Sequence, residues 1–324
     1  MGLNRTFKSQ FADRIVEFVQ QKRALGFPYD GSEAILEKFD RFCLEHFPSE
    51  IILSKELCLA WAVRRETEGN NGFRNRVSPI REFAKYLIRI GEAAYIVPPD
   101  FTRRGPRPLP YIYSEEEVAA ILRVFDEMKP RKGFPVRHFV IPAIIRLLYC
   151  CGLRPVEARR LKVTEVDLSI GKIYIRESKG HKDRIVMLGG DNIEYFRTYN
   201  GNVSCLLPGR DWFFPNSSDE IYTKEWLDKT FRIAREKAGI TGESSNPPRP
   251  YDLRHTFATH RLYLWMKEGK NLDSMLPYLS TYMGHAQLSD TYYYIHLVPG
   301  QLKTMSGLDF SKYEALIPEV DDDE

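Results

Sequence analysis

Two arginines, a lysine, a histidine and a tyrosine, spread over four separated stretches, have residue types suited to chemistry on an anion. In Gly152-Leu153-Arg154-Pro155 the glycine suits a helix stop and the proline the first turn of the next helix, which predicts Arg154 at a helix N-terminus. A guanidinium beside unpaired backbone N–H groups makes an anion site. Tyr251-Asp252-Leu253-Arg254-His255 repeats that logic after Pro247-Pro248-Arg249-Pro250, placing Arg254 beside a histidine as a helix opens. Ser178-Lys179-Gly180 lies in a turn-prone stretch, where a mobile ammonium can reach a phosphodiester oxygen and protonate a leaving hydroxyl. The fourth stretch is Met283-Gly284-His285, with Tyr294 nine positions after the histidine at the end of Tyr292-Tyr293-Tyr294. Taken singly, each has an ordinary reading: a surface arginine, a solvated turn, packed tyrosines.

The elements that must position them fall into two groups. Residues 1–97 read as an all-helical domain. Phe7, Phe11, Ile15 and Phe18 share one helical face ahead of Gly26, and a second helix starts near Ser32. A third, N-capped by Ser54, carries Leu57 and Trp61, and a fourth follows the Asn70-Asn71-Gly72 break and ends at Gly91. A helix starting so near Met1 leaves no room for a further N-terminal module. Residues 98–110 hold five prolines with Arg103, Arg104 and Arg107, a stiff basic linker. Residues 111–310 form the second domain. It opens with a capping box at Ser114 and Glu117, and an apolar helix runs from about Val136 to Cys150. A β-hairpin pairs 172–176 with 185–188 around the lysine turn, and the remainder is mostly helical. Residues 311–324 end in an acidic tail. The expected fold class is therefore mainly α with a small antiparallel β-sheet, an α+β second domain following the helical one.

Composition narrows the field. With 43% hydrophobic and 28% charged residues the chain is globular, and 324 residues suffice for two cores. No run of about 18 apolar residues and no basic-then-apolar leader is present, so no membrane partner is expected and the cytoplasm is the expected location. Five cysteines without a C-x-x-C pair predict neither a disulfide framework nor a zinc site, so metal-free, cofactor-free chemistry is expected. The net charge of +3 would be +7 without the four acidic residues 321–324, a body basic enough to meet phosphates. Arg64, Arg74, Arg76, Arg81 and Lys85 lie on the polar side of the last two N-terminal helices; with Arg103, Arg104, Arg107 and Lys182 they are the expected contacts to a phosphate backbone, a solvated helix face being the ordinary reading.

Together, the order Gly-Leu-Arg, Ser-Lys-Gly, Leu-Arg-His-Thr-Phe-Ala-Thr-His and Gly-His with tyrosine nine residues on resembles the tyrosine recombinases of the phage-integrase family across essentially the whole chain. The resemblance implies a helical, SAM-like core-binding domain and a catalytic domain acting on double-stranded DNA. Arg154 and Arg254 would clamp the scissile phosphate, Lys179 would be the general acid, His285 the histidine of the Gly-His motif and Tyr294 the nucleophile. The product would be a 3′-phosphotyrosyl enzyme that religates to a new partner through a Holliday junction, without ATP or metal. Tyr251 stands where the family usually has histidine; either it or His255 takes that role. Elementary electrostatics agrees with this assignment. Charge grows on the non-bridging oxygens in the five-coordinate transition state, and forked guanidinium bonds strengthen with it. At ~4 Å and an effective dielectric near 20, one such charge pair is worth about 4 kcal/mol.

The family further implies a homotetramer at synapsis, formed from free monomers or dimers, in a compact integrase, transposon recombinase or Xer-like enzyme serving a mobile element. The apolar segment after Tyr294 would dock on a neighbouring subunit or on its own domain. Type IB topoisomerase-like relaxation and a DNA-binding protein without catalysis are the alternatives.

Overall fold

The computed structural model describes residues 5–102, 109–176, 183–242 and 247–297. These form two compact units, one on each side of residues 103–108. The fold is mainly helical, with one small antiparallel sheet.

The first unit packs α1 (Ala12–Ala24), α2 (Asp30–His46), α3 (Lys55–Trp61) and α4 (Asn70–Arg89) around Ile15, Phe18, Leu36, Phe39, Leu57, Ile80 and Phe83. Ser54 caps α3 through the Leu57 N–H. The first helix starts later than the Phe7 periodicity predicts. The buried carboxylate of Asp40 accepts from the backbone N–H groups of Lys8 (2.7 Å) and Ser9 (3.0 Å), which holds that stretch against α2 outside any helix. Phe7 still packs on the core from there.

The basic stripe expected here divides. Arg76 turns inward. It is 8% exposed, pairs with Glu68 at 2.7 Å and donates to the carbonyls of Trp61 and Val63, so it closes the C-terminus of α3 instead of facing a ligand. A polar position on a helical wheel was misleading because Glu68, in the α3–α4 connection, reaches back over it. Arg81 is half-buried, donating to the carbonyls of Val97 (2.7 Å) and Pro98 (3.0 Å) and to Thr102 (2.9 Å), and so fastens the chain leaving the unit to α4. Arg64 is exposed in the α3–α4 connection, Arg74 is half-buried on α4, and Lys85 is exposed beside Glu82 at 3.0 Å. Arg103, Arg104 and Arg107 lie outside the described residues.

In the second unit, α5 (Glu115–Asp126) opens with the Ser114/Glu117 capping box, and α6 (Arg137–Cys151) ends at Gly152 in the left-handed region (φ 59). A Cβ on Gly152 would come within 2.4 Å of the Phe257 ring, so both conformation and space require glycine there. After α7 (Pro155–Arg159), strands β1 (Val166–Asp167), β2 (Lys172–Ile175) and β3 (Arg184–Met187) form an antiparallel meander with Ile173 opposite Val186 and Ile175 opposite Arg184. Then follow α8 (Gly190–Leu206), α9 (Lys224–Lys237), α10 (Asp252–Lys267), α11 (Leu272–Met283) and α12 (Ser289–Leu297). The apolar α6 runs through the core, against α5, α8 and α10. No helix among the described residues is long and apolar enough to cross a membrane.

Candidate active site

Three helix ends meet at the site. Proline at the first position of α7 sets the local turn, and Arg154, in extended conformation, is the residue just outside it. The Arg154 side chain donates to Glu157 (2.8 Å) and, from Nη2, to the carbonyl of Gly284 (3.0 Å). Arg254, in the first turn of α10, is 1% exposed and donates from Nη1 to the carbonyl of Gly152 (2.7 Å) and from Nη2 to that of Met283 (2.6 Å). The two guanidiniums thus straddle the same pair of chain segments, 152–154 and 283–284. Arg254 Nε is buried with no hydrogen-bond partner among the described residues.

Gly284 ends α11 in the left-handed region (φ 67), and the N–H of His285 returns to the carbonyl of Ser280 (3.0 Å), closing the helix and turning the imidazole back toward the arginines. A Cβ on Gly284 would sit 3.0 Å from the Arg184 side chain, a tight contact added to a positive φ that already favours glycine. His285 Nδ1 lies 2.8 Å from the Thr291 hydroxyl. On α12 the Tyr294 ring stacks on His285 (centroids 5.8 Å, 20° between planes) and lies 5.6 Å from the His255 ring; it is 3% exposed. Tyr251, 38% exposed at the start of α10, meets the His255 ring edge-on at 5.2 Å.

Positive charge is in surplus. Glu157 accepts from Arg154 and, through both oxygens, from Arg184 (2.8 and 2.7 Å). Burial alone would raise its carboxyl pKa, yet hydrogen bonds from Arg184 and Arg154 hold it down at about 2. Among the described residues, three guanidiniums against one carboxylate leave about two positive charges. Burial lowers the pKa of Arg254; the field of Tyr294 opposes the shift and that of Arg154 adds to it, so both groups lie within its electrostatic reach. For His285, burial first, then Arg254, Arg154, Arg184 and His255 push the pKa down to about 3, leaving a neutral ring. A cluster of buried groups with two like charges, a spare N–H donor and a neutral imidazole suits an anion carrying several acceptor oxygens.

The structure therefore brings Arg154, Arg254, His285 and Tyr294 together and puts Tyr251 at the rim. Lys179 and Lys182 lie outside the described residues. Sequence reasoning passed over Glu157, Arg184 and Thr291. The Arg154-to-Glu157 step, matching a capping-box interval, was a readable signal for the first; the partners of the other two become apparent only in the fold.

The chain matches the phage integrase family over residues 113–300. A Sinorhizobium fredii protein bearing the integrase/recombinase name y4rB is 29% identical over 301 residues, 91% of this chain and 95% of that protein. The tyrosine recombinase XerD of Pseudomonas putida is 30% identical over 71% of this chain and 72% of its own. Among solved structures, the XerH site-specific recombinase bound to its difH substrate has TM-score 0.63 at 20% identity, covering 95% of this chain and 91% of that one. The Tn1549 transposon integrase in complex with transposon right end DNA has TM-score 0.61 at 14% identity, covering 87% and 94%. Family, relatives and fold agree: the chain belongs to the phage integrase family and is a tyrosine recombinase.

Proposed function

We propose that the protein is a site-specific recombinase of double-stranded DNA that cuts and rejoins strands through a 3′-phosphotyrosyl intermediate. The observation that carries this reading is the meeting of Arg154 and Arg254 over the 283–284 turn, with Tyr294 and His285 beside them. A phosphodiester placed there would receive both guanidiniums and the spare Nε–H of Arg254. As the phenolic oxygen of Tyr294 forms its bond to phosphorus and passes its proton to water, the bond to the 5′-oxygen breaks and that oxygen takes a proton, which we assign to Lys179. One phosphoester replaces another, so the bond energy is kept for religation to a second strand. The arginines supply the positive charge that the transition state needs. Tyr251 and His255 remain the two candidates for the role of the family's usual histidine.

We extend the proposal to a tetramer joining two duplexes through a Holliday junction, with the helical unit of residues 1–97 and its exposed Arg64 and Lys85 on the DNA backbone. Integration, excision or transposition of a mobile element is the role favoured by likeness to the Tn1549 integrase and the integrase/recombinase of S. fredii. The test is capture of DNA bound covalently to the purified full-length protein, followed by sequencing of the attached ends. The expected result is one recurrent site joined through its 3′ phosphate, absent with Tyr294→Phe. No adduct from the unaltered protein would overturn the reading, and adducts that relax supercoils without joining paired sites would turn it toward a type IB topoisomerase.

A further inference from the structure

We infer that Thr291 is a positioning residue of the active site: its hydroxyl donates to Nδ1 of His285 and fixes the imidazole as the Nε2–H tautomer, so that the ring offers a third donor to the anion beside the two arginines. This rests on the phosphoryl-transfer reading above.

The inference comes from counting protons in a buried place. Thr291 on α12 is fully buried, and its Oγ1 lies 2.8 Å from His285 Nδ1. Three other helical threonines send the hydroxyl proton to the carbonyl four residues back, Thr256 to Asp252 at 2.9 Å, Thr281 to Pro277 at 2.9 Å and Thr198 to Glu194 at 3.2 Å, whereas the buried hydroxyl of Thr259 on α10 has no partner among the described residues. Thr291 lies in the first turn of α12, which begins at Ser289, and among the described residues its hydroxyl meets only the imidazole. Were Nδ1 to carry the proton and donate, the threonine's own proton would be left without an acceptor in a dry interior, a cost of about 1–3 kcal/mol. Donation from Thr291 to Nδ1 uses every proton.

The consequence falls on the far side of the ring. Burial and the surrounding Arg254, Arg154 and Arg184 keep His285 neutral, so it has a single N–H to place. With Nδ1 occupied as an acceptor, that N–H is on Nε2, the nitrogen turned away from Thr291. A bare lone pair there would repel an anionic oxygen, whereas an N–H binds it more strongly as charge develops. The same bond ties α12 to the 284–285 turn and thereby fixes the stacking of His285 on Tyr294. Thr291 touches no substrate; it acts through the histidine.

The test has two arms on the full-length protein. In the first, ring-15N histidine spectra, with the His285 signal identified by its loss in His285→Gln, report the tautomer without any substrate. An acceptor Nδ1 and a protonated Nε2 are expected, and a protonated Nδ1 would overturn the inference. In the second, cleavage of a duplex recovered by covalent capture is compared for Thr291→Val, which keeps the shape and removes the hydroxyl, and Thr291→Ser, which keeps the hydroxyl. The valine variant should lose roughly tenfold in the cleavage rate at saturating duplex, less than the 10²–10³ of a donor removed outright, with half-saturation unchanged and mixed tautomers in the spectrum. The serine variant should recover both. Equal loss in the two variants, or no loss in valine, would overturn the inference. Failure of the unaltered protein to form any adduct would instead sink the phosphoryl-transfer reading, and the tautomer arm would still decide the state of His285.

Discussion

Both units bury arginines, and Arg76 of the first and Arg254 of the second are handled in opposite ways. Arg76 in the helical unit is neutralised by Glu68, and its remaining N–H groups close the end of α3. Arg254 in the second unit is buried more deeply, yet its two hydrogen bonds go to neutral carbonyls and its Nε–H is left over. Desolvating a guanidinium without a carboxylate in hydrogen-bond contact is costly. Among the described residues Arg210 is also held by neutral acceptors alone, the carbonyl of Trp212, Ser204 and Asn200, so what marks Arg254 is that its unspent charge lies beside Arg154, His285 and Tyr294. Burial alone therefore does not separate a structural arginine from a working one. What separates Arg76 from Arg254 is that the first has its charge cancelled by Glu68, whereas the second keeps its charge next to a second guanidinium, Arg154.

Exchanging the two residues' fates is the strongest way to break that contrast. Arg254→Lys keeps the charge but not the fork, and should lower the rate of covalent adduct formation by about 10²–10³ per folded molecule, a far larger effect than the roughly 1–2 kcal/mol of stability lost when one of the carbonyls of Gly152 and Met283 loses its donor. Arg76→Met should do the reverse, removing roughly 2–3 kcal/mol of stability by stranding Glu68 and two carbonyls, with adduct formation per folded molecule unchanged. Calorimetry and the capture assay on both variants check the pair; parallel losses of stability and rate in the two would erase the distinction.

The distinction was half legible in the sequence. Arg254 announced itself because its setting is local: a helix start after prolines, with histidine next door. The same holds for Gly152, Gly284 and the Ser114 capping box, where two or three neighbouring residues decide the backbone. Arg76 was misplaced because its partner lies in an irregular connection that periodicity does not describe. Arg184 was invisible for the same reason on a larger scale. It reads as an ordinary residue of a short strand, and only the fold brings it 2.7 Å from Glu157, 27 positions earlier, and 2.9 Å from the carbonyl of Tyr282. Nothing local separates Thr291 from a packing threonine. Spacing along the chain identifies the groups that would touch an anion; the groups that hold them are set by long-range packing.

A smaller effect sharpens the electrostatic side of the comparison. An unfolded histidine takes its proton near 6.5, whereas His285 in the folded site does so only at about 3. Between those values the unfolded chain holds more protons, so stability falls as pH drops through this window, by up to ~1.4 kcal/mol per pH unit for this one group. Glu157 enters later: its carboxyl, held at about 2 against an ordinary 4.5, contributes stability that is lost only as pH falls below about 4.5. Denaturant titrations from pH 7 to 5 should therefore show a shallower acid-side loss in His285→Gln than in the unaltered protein. Identical slopes would mean that the folded site accepts the proton freely, and the surplus charge attributed to it would be wrong.

The smallest effect probes an exposed charge of the first unit that is held only by a surface pair. Lys85 is exposed and shares only a surface pair with Glu82, worth a few tenths of a kcal/mol at most, so Lys85→Ala should leave the melting temperature almost unmoved. If its ammonium lies on a DNA phosphate, one counterion fewer is released on binding, and the slope of log affinity against log salt should flatten by about 0.9. Arg76→Met, whose charge is already spent on Glu68, should leave that slope where it was. Measured together, the two slopes sort the arginines and lysines of the helical unit by whether the protein or the nucleic acid holds them. An unchanged slope for Lys85→Ala would remove this face of α4 from the DNA-binding surface.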